Sequence, residues 1–476
     1  MKTFFATTAI PYVNAAPHIG HALEFVQADA IVRYHRDILG EETLLLSGAD
    51  ENALKNVQAA QNANQPVQEF VDTHAKEFEE LAASLNVQFD VFQKGTDARH
   101  IESSQKLWEL CLENGDIYKK KYEGLYCVGC EAFYTKGELN ENGECFEHPG
   151  KSLESVSEEN YFFKLSNYQE QLIKLITTDE LQIVPETRKN EMLGFLREPL
   201  QDISISRSNE RAKNWGVPVP GDDSQRMYVW FDALNIYQSG VGFGFDDEKY
   251  KKWWPADVHI IGKGISRFHT VYWPAFLLSA KLLLPKKVFI HGYFTVDGQK
   301  MSKTLGNVID PFSLIEKYGA DSLRYYFLRE IPSTGDGDFS TARFVEAYNA
   351  NLANGLGNLI ARTAKLAQGL VFEVVDRHAL PVQFPGYQEA LDAYKFHEAL
   401  DIIFTKVREL DGYINEKEPW KIKDKDELKS ILSPLISSLY SIGYHLQPFM
   451  PETAGKILEQ FGKEQISQSD SYFPRI

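Results

Sequence analysis

The sequence predicts an α/β fold in which a parallel sheet is interrupted by an insertion and followed by an all-α bundle. Strand-like and helix-like segments alternate over residues 1–115 and again over 226–341, which favours a parallel sheet with crossover helices. Between them, over 116–225, glycine, aromatic and turn residues interrupt any regular period. Over 342–476 the apolar residues have helical spacing almost throughout, which is typical of a bundle.

The first of these regions begins with a strand, "KTFFATTAI", followed by helical spacing of apolar residues from His18 to Leu39. A second strand, "EETLLLSGADE", ends in acidic residues. Ligands of parallel sheets bind beyond the carboxyl ends of the strands. We therefore expect His18, His21, Asp50 and Glu51 to lie at that edge.

The third region contains three further segments with strand character. "MYVWFDALNIY" is predicted as a strand passing into a helix, "DVHIIGKG" as a buried strand, and "KKVFIHGYFTVDGQKMSK" as strand–turn–strand. Asp297-Gly298 is a strong hairpin-turn signal, and it places Lys300, Ser302 and Lys303 on the mobile side of the turn. The final segment, "EQISQSDSYFPRI", is expected to be loosely packed.

Composition describes an ordinary globular chain of several domains, with 476 residues, 43% of them hydrophobic and 25% charged. The net charge of -17 argues against nonspecific attraction of nucleic acid to the whole surface, but it does not exclude a local basic face. The apolar run after Lys2 imitates a secretory signal but is brief and merges into a strand. Since no span approaches transmembrane length, we expect no membrane association and a cytoplasmic location.

The cysteines are clustered. Cys127, Cys130 and Cys145 lie close together with His148, in the spacing Cys-x2-Cys-x14-Cys-x2-His. Three thiolates and one imidazole suit tetrahedral Zn²⁺, and four protein ligands make such a site structural. The alternative is an accidental grouping of buried thiols. Cys111 lies outside the cluster and is expected in the core.

Two short motifs combine small and cationic residues. In "PHIGH" a turn between strand and helix would point backbone N–H groups and the positive end of the helix dipole at a ligand. Gly20 would let a planar ring approach the backbone, while His18 and His21 could donate to phosphate oxygens. Alone, the motif could equally be a helix cap. In "GQKMSKTLGN", Lys300 and Lys303 form a flexible cationic loop, although such pairs are usually solvated surface.

"HIGH" (18–21) followed by "KMSK" (300–303) resembles the signature pair of class I aminoacyl-tRNA synthetases, whose catalytic domain is of Rossmann type. Over nearly the whole chain the sequence is most similar to the methionyl-tRNA synthetase family. The blocks that carry this resemblance occur in family order and include "PYVNAAPHIGHALEFVQADAIVRYHR", "YCVGCEAFY", "YVWFDAL", "FHTVYWPAFL", "HGYFTVDGQKMSK" and "NEKEPW".

The resemblance implies a methionine–tRNA ligase that activates L-methionine with ATP and transfers it to the 3′ end of tRNA(Met). It implies that residues 1–115 and 226–341 form the two halves of the catalytic domain, the second with the lysine loop. Residues 116–225 would form a connective insertion with a zinc knuckle, and residues 342–476 an anticodon-binding domain.

The resemblance also assigns residues to roles. By it, ATP, accompanied by Mg²⁺, would bind to His18, Gly20, His21, Lys300, Ser302 and Lys303, of which the histidines and lysines would be catalytic. The methionine site would comprise Ile10, Tyr12, Asp50, Trp230, Ala233, Tyr237 and His269. Asp50 would hold the ammonium group as a charge-assisted acceptor. The CAU anticodon would be read by Asn358, Arg362 and Trp420. Each aromatic residue taken singly could equally be core packing.

Some positions depart from the family pattern. The family usually has Glu-His-Gly after the aspartate, where this chain has Glu51-Asn52-Ala53. Gly264 replaces a common acidic residue, and Thr304 replaces a serine. Because the appended dimerising domain of some relatives is absent, a monomer is expected. Alternatives are a class I synthetase for leucine, isoleucine, valine or cysteine, a small-molecule nucleotidyltransferase, and a noncatalytic zinc-containing RNA-binding protein.

Overall fold

The computed structural model describes residues 2–127, 132–134, 139–146, 150–300, 308–376, 380, 382–468 and 470–476. By compactness the chain divides into two units. The first comprises Met1–Pro17, Thr43–Glu80 and Phe89–His291, and the second comprises His18–Glu42, Leu81–Gln88 and Gly292–Ile476.

The strands are, in chain order, β1 (Thr3–Thr7), β2 (Glu42–Ala49), β3 (Val91–Lys94), β4 (Ile117–Cys127), β5 (Ala132–Tyr134), β6 (Glu154–Phe163), β7 (Gln182–Val184), β8 (Ile203–Ser204), β9 (Ser206–Ser208), β10 (Pro218–Val219), β11 (Asp222–Met227), β12 (Val258–Gly262), β13 (Lys287–His291), β14 (Phe294–Val296), β15 (Gln299–Lys300) and β16 (Gly337–Phe339).

The α-helices are α1 (Ile19–Arg33), α2 (Leu54–Asn62), α3 (Val67–Ser84), α4 (Ala98–Glu113), α5 (Gln169–Thr177), α6 (Glu186–Phe195), α7 (Asn209–Ala212), α8 (Val229–Ala233), α9 (Ile236–Ser239), α10 (Asp247–Trp253), α11 (Trp273–Ser279), α12 (Pro311–Tyr318), α13 (Ala320–Arg329), α14 (Thr341–Ala347), α15 (Asn358–Ala367), α16 (Tyr387–Asp392), α17 (Phe396–Lys417), α18 (Lys425–Leu446) and α19 (Pro451–Phe461). Turns of π-helix occur at Tyr34–Ile38, Phe268–Tyr272 and Tyr348–Gly357, and turns of 3₁₀-helix at Leu165–Tyr168, Lys263–Ile265 and Pro419–Lys421.

The central sheet of the first unit has the strand order β3-β2-β1-β12-β13-β7. Ala6 lies opposite Val258, and Ile260 lies opposite Phe289, both in parallel register. Strands β1, β2 and β12 are buried over most of their length, which is why they read as continuous apolar runs. The strand order reverses between β1 and β12, and ligands of such sheets bind at this point. The predicted α/β class with a parallel sheet is confirmed.

Residues 116–225 form mainly antiparallel structure in the first unit. The sheet β5-β4-β6-β8 is dominated by the long β4–β6 ladder, which pairs Ile117 with Phe163 and Tyr126 with Glu154. A second small sheet has the order β10-β11-β9. Strand β7 also lies in this stretch, but it joins the edge of the central sheet by parallel pairing with β13. Three residues are too few to show a period of two, so the sequence pattern did not reveal this strand.

The segment "MYVWFDALNIY" is mostly helical rather than a strand passing into a helix. Strand β11 ends at Met227, and α8 begins at Val229, where the N–H of Phe231 donates to the carbonyl of Tyr228. The apolar run reads like a strand because it is buried on every side, and burial alone does not distinguish the two structures.

The second unit contains the small sheet β15-β14-β16 and the helices from α12 onward, together with α1. Its interior holds a fully buried guanidinium, that of Arg324 on α13. Arg324 Nη2 lies 2.6 Å from Asp29 Oδ2 on α1. Its Nη1 donates to the carbonyl of Leu85 at 3.1 Å, and its Nε donates to that of Phe449 at 2.8 Å. One side chain therefore joins several segments that are distant in sequence.

The final segment is mostly exposed but is anchored to the second unit at two positions, so the expectation of a loosely packed tail is wrong at those positions. Ile466 and Phe473 are buried. The Tyr348 hydroxyl donates to the carbonyl of Pro474 at 2.9 Å, and Asn349 Nδ2 donates to that of Ile476 at 2.9 Å. The segment is mainly polar in composition, so the sequence pattern did not show that Ile466 and Phe473 would be buried. In the part of the chain that the structure describes, no helix combines the length and apolar character needed to span a bilayer.

Candidate active site

A cluster of aromatic side chains lies at the switch point of the central sheet. We call Tyr12, Trp230, Tyr237, Phe268 and His269 the aromatic cluster. Tyr12 follows β1, and its ring meets that of Trp230 edge-on, with centroids 6.2 Å apart and an interplanar angle of 86°. Trp230 and Tyr237 are contributed by α8 and α9, and both are buried. Ala233 is buried on α8, and Ile10 is partly buried against the same core.

Asp50 lies beside this cluster because the strand ends are paired there. A parallel bridge joins Tyr12 to Asp50, and the Asp50 N–H donates to the carbonyl of Pro11 at 2.9 Å. The Asp50 carbonyl in turn accepts from Asn56 Nδ2 at 2.7 Å. The structure therefore brings the predicted ammonium ligand and the predicted aromatic wall together at one edge of the sheet.

His269 is a neutral member of the aromatic cluster. Its Nδ1 lies 3.0 Å from the carbonyl of Ile265, and its Nε2 lies 2.7 Å from the Tyr237 hydroxyl. A carbonyl can only accept, so Nδ1 carries the hydrogen and Nε2 accepts from Tyr237. Burial lowers the pKa of His269 to about 4, against the weaker opposing effect of the Ile265 carbonyl. This part of the site is therefore uncharged at neutral pH.

Sequence reasoning missed members of this site. The Phe268 ring stacks on Trp230 with centroids 3.8 Å apart and an interplanar angle of 6°. His259 is fully buried and bonds through Nδ1 to Thr7 Oγ1 at 2.7 Å, and its ring lies 4.4 Å from that of Tyr237. Adjacency to His269 was an available signal for Phe268. No local pattern distinguishes His259 from an ordinary core residue of β12.

The positions that depart from the family pattern have defined surroundings. Asn52 Nδ2 donates to Asp232 Oδ2 at 2.6 Å and to the carbonyl of Gly95 at 2.9 Å. Ala53 is buried and immediately precedes α2. Gly264 is exposed in the 3₁₀ turn after β12. Thr304 lies outside the described residues.

The histidine motif starts α1 in the second unit. The N–H of Gly20 donates to His18 Nδ1 at 3.1 Å, and the N–H of His18 donates to His21 Nδ1 at 3.2 Å, so that the two side chains form a capping box. The rings stack with centroids 3.9 Å apart. Burial, and then the repulsion that a second imidazolium would feel from His18, lowers the pKa of His21 well below its usual value. Since both Nδ1 atoms accept, each neutral ring carries its hydrogen on Nε2. The cap therefore leaves both rings in the tautomer that can donate to a phosphate.

The lysine motif follows the predicted hairpin. Strands β14 and β15 pair antiparallel, with Val296 opposite Gln299. Asp297 and Gly298 both have positive φ, 48° and 74°, as a type I′ turn requires. Lys300 ends β15, while Ser302 and Lys303 lie outside the described residues. The hairpin prediction is confirmed, and the positions of the cationic side chains stay a prediction.

Two of the cysteine-cluster residues are described. Cys127 and Cys145 are both buried, and their Sγ atoms lie 3.4 Å apart. Two thiolates bound to one tetrahedral zinc at about 2.3 Å lie roughly 3.8 Å apart, so this pair fits a shared ion. Cys130 and His148 lie outside the described residues. Within the described part of the chain, no group of three or more potential ligands is found. Cys111 is a buried core residue as expected, and burial raises the pKa of its thiol to about 12.

The predicted anticodon residues lie in the second unit. Asn358 begins α15, and Arg362 follows one turn later on the same face. The guanidinium of Arg362 is 5.4 Å from the ring centroid of Trp420, whose side chain is 50% exposed. Arg362 also donates to Asp411 at 3.0 Å and to Asn415 at 2.7 Å. A half-exposed indole beside an oriented guanidinium is suited to stacking on an unpaired base.

Comparison with known proteins agrees with this geometry. The family model described as tRNA synthetases class I (M) matches residues 4–364. Methionine–tRNA ligase of Brucella suis is 41% identical over 474 residues, covering 96% of this chain and 91% of that protein. Methionine–tRNA ligase of Thermotoga maritima is 40% identical over 480 residues, and the match covers 97% of this chain and 76% of that protein.

Solved structures are also similar to this chain. Mycobacterium tuberculosis methionyl-tRNA synthetase in complex with methionyl-adenylate matches with a TM-score of 0.91 and 36% identity, covering 100% of both chains. Its apo form matches with a TM-score of 0.83 and 34% identity, covering 100% of this chain and 98% of that one. With a switch-point aromatic cluster, a histidine-capped helix and full-length relatives of one kind, this chain belongs to the methionyl branch of the class I tRNA synthetases.

Proposed function

We propose that this chain is a methionine–tRNA ligase. It forms methionyl-adenylate and pyrophosphate from L-methionine and ATP, and then transfers methionine to the 3′ end of tRNA(Met). The observation that carries this assignment is the uncharged aromatic cluster beside Asp50 at the switch point of the central sheet. An apolar, sulfur-containing side chain suits the rings, and an ammonium group suits the carboxylate.

In this proposal the amino acid is bound at both of its ends. Asp50 binds the ammonium, and the side chain packs against Ile10, Tyr12, Trp230, Ala233, Tyr237 and His269. The Tyr237 hydroxyl donates to His269 Nε2, so the thioether of methionine does not have to replace a missing hydrogen-bond partner of either group. A neutral His269 also adds no positive charge near the ammonium.

Activation requires no nucleophile from the protein, because the carboxylate of methionine attacks the α-phosphate and pyrophosphate leaves. Catalysis is then positioning and stabilisation of charge. His18 and His21 donate from Nε2 to phosphate oxygens, and the N-terminus of α1 adds its dipole. Gly20 allows close approach of the nucleotide. Lys300, Ser302 and Lys303 hold the leaving pyrophosphate. Mg²⁺ bound with ATP neutralises part of the phosphate charge.

Recognition of tRNA is assigned to the helical region. Asn358, Arg362 and Trp420 read the CAU anticodon by stacking and by hydrogen bonds to base edges. Cys127, Cys130, Cys145 and His148 hold a structural Zn²⁺, as the distance between the first and third of these supports. We assign residues 1–115 and 226–341 to the catalytic domain, 116–225 to the insertion and 342–476 to anticodon binding. We further propose that the protein acts as a cytoplasmic monomer.

Exchange of pyrophosphate into ATP, measured across a panel of amino acids, tests the first half of the proposal. Methionine is expected to support exchange far better than leucine, isoleucine, valine or cysteine. Exchange with leucine but not methionine would overturn the assignment. His21→Ala and Lys303→Ala are expected to lose exchange while retaining the folded state by circular dichroism.

Charging of tRNA transcripts tests the second half. A transcript with a CAU anticodon should be charged, and a transcript with an altered anticodon should be charged poorly. Trp420→Ala should reduce charging without affecting exchange. Equal charging of both transcripts by the wild-type protein would contradict the roles given to Asn358, Arg362 and Trp420.

A further inference from the structure

Asn52 links two parts of the candidate methionine site. It lies in the turn after β2, two residues beyond Asp50, and is half-buried. Both hydrogens of its side-chain NH₂ group are used, one by Asp232 Oδ2 at 2.6 Å and one by the carbonyl of Gly95 at 2.9 Å. Asp232 lies on α8, between Trp230 and Ala233. The carboxamide thus connects the turn that follows Asp50, the proposed ligand of the ammonium group, to α8, which carries Trp230.

Asp232 needs such a donor. Its side chain is buried, and Nε2 of the buried His100 lies 3.7 Å from Oδ2, beyond ordinary hydrogen-bond distance. A buried carboxylate is costly unless hydrogen bonds compensate for the lost water. An amide can donate at every pH, because it does not titrate. Asn52 therefore supplies Asp232 with a permanent donor at 2.6 Å, closer than the His100 ring at 3.7 Å.

The rest of the turn is held by other contacts. Asn56 donates to the carbonyl of Asp50 at 2.7 Å, and Trp215 Nε1 donates to that of Glu51 at 2.8 Å. The Glu51 carboxylate accepts from the hydroxyl of Thr96 at 2.6 Å. These contacts hold the turn after β2 against Asn56, Trp215 and Thr96. The hydrogen bond from Asn52 to Asp232 sets the distance between this turn and α8.

We propose that Asn52 is a positioning residue for methionine, whose bond to Asp232 fixes the distance between the ammonium-binding Asp50 and the side-chain wall of Trp230 and Ala233. This inference rests on the proposed function. Asn52 touches neither substrate nor reacting atoms in this role. It acts through Asp50 and Trp230, so that its loss weakens the fit of the amino acid rather than the chemistry on ATP.

Asn52→Asp tests the proposal, because it sets a second carboxylate against Asp232 with almost no change in shape. In methionine-dependent pyrophosphate exchange we expect the KM for methionine to rise roughly tenfold or more, which corresponds to the loss of a charged hydrogen bond. The KM for ATP should change less than about twofold. Asn62→Asp is the matched control: it adds the same charge at an exposed position at the end of α2, and should leave both constants unchanged.

Rescue distinguishes positioning from general damage. The double variant Asn52→Asp/Asp232→Asn restores one donor and one acceptor and should recover most of the lost methionine affinity. Asn52→His, which keeps an N–H donor at position 52 without adding a carboxylate, should likewise retain most of the methionine affinity. If Asn52→Asp unfolds, Asn52→Ser removes the carboxamide without adding charge and should raise the KM for methionine alone.

An unchanged KM for methionine in folded Asn52→Asp or Asn52→Ser would overturn the proposal, as would equal increases in both KM values. Failure of both rescues would overturn it too. Absence of methionine-dependent exchange in the wild-type protein would instead contradict the proposed function.

Discussion

Three histidines have their Nδ1 atoms engaged by backbone groups, with opposite results: His18 and His21 in the second unit, and His269 in the first. His18 and His21 accept from N–H groups, which leaves hydrogen on Nε2. His269 donates to a carbonyl, which leaves Nε2 as an acceptor for Tyr237. The first two rings are therefore set to donate to anions, and the third completes an apolar wall. A backbone contact thus decides the chemistry of each imidazole.

The Tyr237 hydroxyl is expected to support methionine binding through His269. In Tyr237→Phe the buried Nε2 atom loses its donor, at a cost of about 1–3 kcal/mol. We expect the KM for methionine in pyrophosphate exchange to rise about tenfold with little change in the KM for ATP. Tyr250→Phe deletes another tyrosine hydrogen bond, to Gln238, and should lower thermal stability without changing the KM for methionine. Equal methionine KM values for Tyr237→Phe and wild type would contradict this role.

Burial of His269 also makes stability depend on pH. Its pKa is about 4 in the folded protein and near 6.5 when unfolded, so the unfolded state binds more protons between these values. The free energy of unfolding should therefore fall as pH decreases from 6.5 to 4, by up to about 3 kcal/mol from this group. In His269→Gln, urea titrations at several pH values should show a shallower fall over that window. An identical slope in variant and wild type would contradict a neutral, buried imidazole.

At the level of elements, the hairpin β14–β15 directly precedes the lysine motif in the chain. The carboxylate of Asp338 on β16 accepts from the N–H of Gly298 at 2.7 Å and from the hydroxyl of Thr295 at 2.7 Å. These donors lower the pKa of Asp338. The turn is therefore fixed by its own backbone and by the neighbouring strand, just before the chain reaches Lys300.

A side chain at Gly298 should disturb this turn. Gly298→Ala forces an L-residue into a φ of 74°, at a cost of about 1–2 kcal/mol. Because the lysine motif follows directly, we expect kcat for pyrophosphate exchange to fall severalfold with the KM for methionine unchanged. Gly221 has the same φ of 74° and equally open space, so Gly221→Ala is a matched control for the strain. Equal effects of the two variants on kcat would show that the turn has no special link to catalysis.

Elements with a strong local signal were predictable, whereas pairings across the chain were not. The Asp297-Gly298 turn and the buried strand β12 follow from residue type and apolar content. The three residues of β7 carry no period, and their place in the central sheet depends on pairing with β13. In the site, the roles of Asp50 and Trp230 are predicted by the family resemblance, and the structure adds their surroundings. The bond from Asn52 to Asp232 joins positions 180 residues apart, which no local pattern encodes.

At the level of the whole molecule, the chain passes repeatedly between its two compact units. Helix α1 belongs to the second unit, although the strands on either side of it lie mainly in the first. Within the second unit, Arg324 anchors α1 through Asp29 while also satisfying the carbonyls of Leu85 and Phe449. A planar fork with five donors can serve several acceptors at once. The helix that begins with the histidine motif is therefore held by residues from far along the sequence.

Removing this anchor should be strongly destabilising. Arg324→Gln removes one of the two guanidinium groups that pair with the buried Asp29, so that Arg33 alone remains. It also takes the donor away from the buried carbonyls of Leu85 and Phe449, and we expect a loss of about 3 kcal/mol in the free energy of unfolding. Arg324→Lys should not restore the loss, because an ammonium cannot reach the same set of acceptors. Arg329→Gln, on the same helix, breaks a partly exposed pair with Asp401 and should cost less than about 1 kcal/mol. Similar urea midpoints for Arg324→Gln and Arg329→Gln would contradict this account.

The pairing of Asp29 with Arg324 also constrains how the protein is made on the ribosome. Helix α1 emerges early and carries Arg33, one partner of the buried Asp29, but the second partner, Arg324, is synthesised 295 residues after Asp29 (324 minus 29). At about 5–20 residues per second, that interval lasts roughly 15–60 s. Throughout that interval, of the two arginines only Arg33 is present to pair with Asp29. The contact of Arg324 with α1 therefore forms only after about two-thirds of the 476 residues have been synthesised.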